Sequence, residues 1–171
     1  MQEKHIFFSL ILTKAELLAL TPKDVDLEKR TISITKSYQR LGKKDVITPP
    51  KTPKSKRVIT IPEFLAADIK DYMDSLYDLQ EEDRLFPITK YYLEHEMQRG
   101  IKESGVKRIR LHDLRHSHAS LLIELGFSPL EIANRLGHEK VETTLNTYAH
   151  LYQNKQAKLA DRLDSEYRED L

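Results

Sequence analysis

Three glycines, Gly105, Gly126 and Gly137, divide the second half of the chain into short helical segments. Each follows a run suited to a helix, and glycine ends such a run by entering the left-handed conformation at no steric cost. The helices predicted in this way are Tyr91–Ser104, Asp113–Leu125, Pro129–Leu136, Thr143–Leu151 and Lys155–Tyr167. Ser128-Pro129-Leu130-Glu131 is a capping box with proline in its first turn, which fixes where the third of them begins.

The first half supplies strands. Thr31-Ile32-Ser33-Ile34-Thr35 alternates and reads as half-buried, and Arg57 to Ile61 reads as a second strand. The polar, Pro-rich stretch between them reads as a hairpin or small sheet. Thr21-Pro22 looks like an N-cap followed by proline, opening a short turn through Val25. After Pro62, the apolar residues Phe64, Leu65, Ile69, Tyr72, Met73 and Leu76 recur at helical spacing with acids on the other face. The expected class is therefore mainly α with a small antiparallel β-sheet, an α+β arrangement.

With 171 residues, 39% of them hydrophobic, the chain can bury a core as one domain without a disulfide or structural metal. The absence of cysteine excludes disulfides, Cys-based zinc or iron–sulfur sites and a cysteine nucleophile. The apolar run Ile6 to Leu12 is too short to span a bilayer. It lacks a signal-peptide cleavage site and continues through Lys14 and Glu16 to Leu20, so one amphipathic helix and a cytoplasmic protein are expected.

Net charge, +1, is uninformative until it is resolved along the chain. Lys36 to Arg57 holds eight basic residues and one acid; Glu63 to Asp83 holds eight acids and one base; Arg99 to His118 holds six bases and two acids. Two basic surfaces flanking an acidic helix could grip a polyanion on one side, although solvated faces look the same in sequence. The candidates for holding that polyanion are Lys43, Lys44, Lys54, Lys56 and Arg57 in the first block and Lys107, Arg108 and Arg110 in the last.

Five of seven histidines, His112, His116, His118, His138 and His150, lie in the last 60 positions. A metal site built on His112 and His116 would place Arg115 beside the cation, and no His-Glu-x-x-His pattern is present, so no metal is expected. Structural caps and core histidines are the second reading. In the third, His112 and Arg115 project from one face near a helix N-terminus, where an anion is favoured and a guanidinium can fork onto a phosphate. His138 follows Gly137 at a helix end, and Tyr148 comes ten residues on.

Leu111-His112-Asp113-Leu114-Arg115-His116-Ser117-His118-Ala119-Ser120, Leu136-Gly137-His138 and Thr143 to His150, in that order and spacing, resemble the catalytic domain of the tyrosine recombinases, or phage-type integrases. Glu16 to Val25 and the hairpin Pro50 to Arg57 fit as well, so the resemblance covers nearly the entire chain. It implies recombination and integration of mobile-element DNA, phage or transposon, through a 3′-phosphotyrosyl link formed by Tyr148, with religation to follow. Arg115 would neutralise the phosphate, and His112 and His138 would hydrogen-bond it and handle the tyrosine proton. Lys51 would protonate the departing 5′-oxygen, with Lys54 and Lys56 as rivals. No cofactor is implied. The implied partners are double-stranded DNA, further copies of the chain, four on one DNA, and accessory recombination proteins, with no membrane.

The chain departs from the family at Thr13, three residues before Glu16, where the family places an arginine. Weak or absent activity is expected from that change alone. The reading is of a single catalytic domain, residues 1–171, cut short at its amino end relative to the family, without the domains that clamp core and arm DNA. A rival assignment takes Glu131 to Gly137 with Thr143-Thr144 as a helix-turn-helix in a regulator that binds DNA without cutting it.

Overall fold

The computed structural model describes residues 12–152 and 155–169. The chain opens with a four-residue helix α1 (Lys14–Leu17), a 3-10 turn (Pro22–Asp24), and strands β1 (Val25–Asp26), β2 (Thr31–Ile34), β3 (Ser37–Leu41) and β4 (Lys44–Thr48). A second 3-10 turn (Pro53–Ser55) leads to β5 (Arg57–Thr60), after which all elements are helical. These are α2 (Glu63–Asp74), α3 (Lys90–Ser104), α4 (Leu111–Glu124), α5 (Pro129–Leu136), α6 (Val141–Tyr152) and α7 (Lys155–Glu169). The α+β expectation holds, with the strands divided between two small antiparallel sheets.

One sheet has the order β1-β2-β5, with Val25 opposite Ile32 and Ile32 opposite Ile59. The alternation in β2 buries Ile32 and Ile34 completely. The other is the hairpin β3-β4, where Tyr38 faces Ile47. Tyr38 is buried, and its hydroxyl donates to Asp45 Oδ1 at 2.8 Å.

Within the described residues the helix expected to run on to Leu20 stops at Leu17, as the four residues of α1, and its part from Ile6 to Ile11 lies outside the described residues. The reason is burial. Leu17, Leu18, Ala19 and Leu20 are all buried, so the run has no polar face to give to solvent and passes through the core. Thr21 then stands at the N-cap position of its turn as predicted, tied there by Asp24, whose Oδ2 accepts from both the Thr21 N–H and its hydroxyl. In α2 the acids lie outward and Leu65, Ile69 and Tyr72 inward, but Phe64, counted with the apolar face, is exposed. Both Gly105 and Gly137 take the left-handed conformation at helix ends, and the Ser128–Glu131 box forms with reciprocal bonds. Among the described residues no helix is long and apolar enough to cross a membrane.

The core joins both halves: Leu18, Ile32, Ile34 and Tyr38 from the first, Ala119, Ile123, Ile132, Leu136 and Tyr148 from the second. Leu18 is 0% exposed, so Leu18→Ala is expected to lose about 2–5 kcal/mol, since a Leu→Ala cavity closes only partly. Urea unfolding at constant m-value measures it.

Candidate active site

Helix α4 carries the first part of the site. Its start is fixed by Arg110 and Asp113: the Arg110 backbone N–H donates to Asp113 Oδ2 at 2.8 Å, and Arg110 Nη2 donates to Asp113 Oδ1 at 2.8 Å. Those bonds hold the Asp113 carboxyl at about 2. Within the first two turns, His112, Arg115 and His116 fall at i, i+3 and i+4, on one face.

Arg115 is largely withdrawn from solvent, and one Nη2 hydrogen bond goes to the carbonyl of Leu136, the last residue of α5. Burial lowers its pKa, an effect opposed by the charge of Glu16. Gly137 and His138 follow directly. His138 Nδ1 is 2.8 Å from the hydroxyl of Thr144, a residue with 0% exposure on α6. Burial first, then Arg115 and Arg57, lower His138 to about 4, so its ring is neutral at pH 7.

Tyr148 lies one turn beyond Thr144 and is only 4% exposed. Its hydroxyl oxygen is 2.8 Å from His116 Nδ1, and His116 meets His112 edge-on with ring centroids 4.8 Å apart. Burial raises the Tyr148 pKa and the Arg115 charge partly offsets this. Helices α4 and α6 and the loop that follows α5 thus deliver Arg115, His116, His138 and Tyr148 to one place.

Arg57, counted above with the cations for holding a polyanion, instead turns inward. Its side chain is 7% exposed and pairs with Glu16, Nη1 to Oε1 at 2.8 Å. Nε donates to the Arg135 carbonyl at 3.0 Å, and Arg135 Nη1 donates in turn to the Thr60 carbonyl at 3.0 Å. A guanidinium held by a buried carboxylate and a main-chain carbonyl has no free fork for a phosphate. Glu16 also accepts from the Thr13 N–H at 2.8 Å, while the Thr13 hydroxyl accepts from the Glu16 N–H. Thr13 is therefore the N-cap of α1.

A cleft of about 290 Å³ opens beside Thr13, lined among others by Lys14, Lys90, His112 and Arg115. Lys51 is exposed in the link between β4 and β5, as is Lys56. Lys54 Nζ donates to the carbonyl of Glu139 at 2.8 Å, which brings that link against the loop carrying His138. Lys43 and Lys44 are exposed at the β3–β4 turn, Lys107 and Arg108 before α4, and Arg110 is exposed while paired with Asp113. Among the described residues no three His, Asp or Glu side chains gather as a metal-holding group.

Residues 6–155 match the model of the phage integrase family. The chain belongs to that family. It is 36% identical over 162 residues to the ICEBs1 integrase of Bacillus subtilis (strain 168), a match covering 87% of this chain and 44% of the relative. Against the integrase of Staphylococcus phage L54a it is 31% identical over 169 residues, covering 87% and 47%. The chain thus spans about half the length of the curated relatives it matches. In fold it is similar to the Tn1549 transposon integrase solved in complex with circular intermediate DNA, with TM-score 0.82 and 24% identity over 95% of this chain and 59% of that one. The catalytic domain of bacteriophage HP1 integrase matches at TM-score 0.59 and 22% identity, over 94% of this chain and 79% of that one.

The helix-turn-helix assignment fails at its centre. Thr144, which should face a groove, is buried and bonded to His138, while Ile132, Ala133 and Leu136 pack inward. Two features of the candidate site have little signal in the sequence. His116 was visible only as one histidine of a cluster, although its i+4 relation to His112 put it on the same face. The inward turn of Arg57 had no signal beyond its place at the start of a strand.

A Cβ on Gly137 (φ +72°) would lie 2.8 Å from Arg57 Nη1, whereas at Gly105 (φ +70°) it would meet open space. Gly105→Ala should cost about 1–2 kcal/mol, the ordinary left-handed penalty. Gly137→Ala should cost clearly more in the same denaturant titration, because Arg57 must also move. The histidines give a pH prediction. His118, lowered to about 4 by burial and then by Arg135 and Arg115, and His138 both bind protons less readily in the folded than in the unfolded state. Their contribution is complete above the unfolded value and is lost as pH falls from about 6.5 toward 4. The thermal midpoint should drop across that window, and His118→Gln should flatten part of the drop.

Proposed function

We propose that this chain is the catalytic domain of a site-specific recombinase that integrates or excises mobile-element DNA. The observation that carries the reading is the convergence of Arg115, His138 and Tyr148 from different helices on one site. The Tyr148 oxygen attacks a backbone phosphorus, the bond to the 5′-oxygen breaks, and a 3′-phosphotyrosyl link keeps the energy needed for religation. Arg115, near the N-terminus of α4, neutralises the non-bridging oxygens, and His112 and His138 hydrogen-bond the phosphate. Lys51 gives a proton to the 5′-oxygen. Its rival Lys54 is engaged with the Glu139 carbonyl, which favours Lys51.

Lys43, Lys44, Lys56, Lys107, Arg108 and Arg110 hold the DNA backbone on this reading, and their contacts weaken with salt. Solved structures of similar fold support DNA as partner: the Tn1549 integrase is held in complex with circular intermediate DNA, and the XerH recombinase is bound to its difH substrate. Helix α7, with Leu159, Leu163 and Tyr167 exposed, is the element through which copies assemble on DNA.

Thr13 leaves the site one cation short of the family's set. A nicked duplex taken from the DNA bordering this coding sequence should give a covalent adduct slowly, and Tyr148→Phe should abolish it. Thr13→Arg should raise the rate by about 10²–10³-fold, because the donor enters the cleft beside Arg115. It should also lower stability by about 1 kcal/mol through loss of the N-cap. An adduct that survives Tyr148→Phe sinks the reading.

A further inference from the structure

We propose that His116 is the base that accepts the Tyr148 proton as the tyrosine attacks phosphorus. This deepens the strand-exchange reading and rests on it. The resemblance gave that duty to His112 and His138, but the hydrogen bond at the Tyr148 oxygen goes to His116 Nδ1, 2.8 Å away. His138 Nδ1 is engaged with the Thr144 hydroxyl, and His112 meets the His116 ring edge-on.

The surroundings make an acceptor necessary. A phenol is a weak nucleophile near neutral pH, and the proton acceptor must stand within about 2.6–3.2 Å of it or act through one water. With Tyr148 only 4% exposed, bulk water has little access to the hydroxyl. His116 is also adjacent to Arg115 on α4, so the base and the phosphate clamp share one helical turn. A shift of α4 that misplaced one would misplace both.

The step balances as follows. His116 begins neutral with its proton on Nε2, and Nδ1 accepts the hydroxyl hydrogen bond. As the Tyr148 oxygen bonds to phosphorus, its proton passes to Nδ1, and the 5′-oxygen leaves with a proton from Lys51. The imidazolium so formed faces a phosphorane that carries added negative charge, which stabilises both. Religation reverses each transfer: the 5′-hydroxyl attacks, and His116 returns the proton to the departing phenolate.

Asparagine separates accepting a proton from merely holding the tyrosine, because its side-chain carbonyl accepts the same hydrogen bond but is no base. On nicked duplexes tiled from the DNA on either side of the coding sequence, with the chain and its Thr13→Arg variant, both His116→Asn and His116→Ala should slow single-turnover adduct formation by about 10²–10⁴-fold at saturating DNA. DNA affinity should stay within a few-fold, and added imidazole should restore much of the His116→Ala rate. A His116→Asn rate within a few-fold of the parent overturns the proposal and leaves strand exchange standing. No Tyr148-dependent adduct from either parent defeats strand exchange, and this proposal with it. Thermal melts confirm that each variant folds, and His116→Gln stands in should His116→Ala fail to do so.

Discussion

The buried pair between Arg57 and Glu16 is the contact on which the rest of the site depends. Its two side chains come from β5 and α1, and its remaining hydrogen bonds reach the end of α5, the last residue of the second 3-10 turn and the N-cap of α1. Buried ion pairs add little net stability compared with a well-packed apolar core, but removal of one partner strands the other and costs about 3–5 kcal/mol. The pair therefore acts less as a source of stability than as a determinant of position. It sets where the first half of the chain ends relative to the loop of His138, and the charge of Arg57 contributes to keeping that histidine neutral.

Tyr148 serves two functions at once. It belongs to the hydrophobic core with Ile123, Ile132 and Leu136, and it carries the hydroxyl on which the proposed chemistry turns. Burial makes the phenol a poorer acid, while Arg115 pulls the other way. A nucleophile placed in this way is protected from adventitious reaction and gains a fixed geometry, which is worth more to a reaction with a positioned phosphate than intrinsic acidity.

Much of this was legible in sequence because local signals coincide with the fold. Proline, the Ser128–Glu131 box and the left-handed glycines placed α5 to the residue, and alternation placed β2 and β5 within one residue at their ends. The end of the first helix falls at Leu17 and not at Leu20, because a run buried on all sides has no period to read. The site divided in the same manner. Arg115, His138 and Tyr148 could be named because their spacing is a motif, whereas Arg57 and His116 gain their roles from partners 41 and 32 residues away. Contacts at such separation leave no trace in a single local window.

Three side chains stitch the β5 region to the segment around His138: Arg57 to the Arg135 carbonyl, Arg135 to the Thr60 carbonyl and Lys54 to the Glu139 carbonyl. Every acceptor is main chain, so side-chain identity at Thr60 and Glu139 can drift without loosening these ties. Across a set of related sequences, only the donor of each stitch is under constraint, and paired substitutions need not arise. Methods that infer contacts from correlated change would be blind to this seam, even though the loop carrying His138 hangs from it.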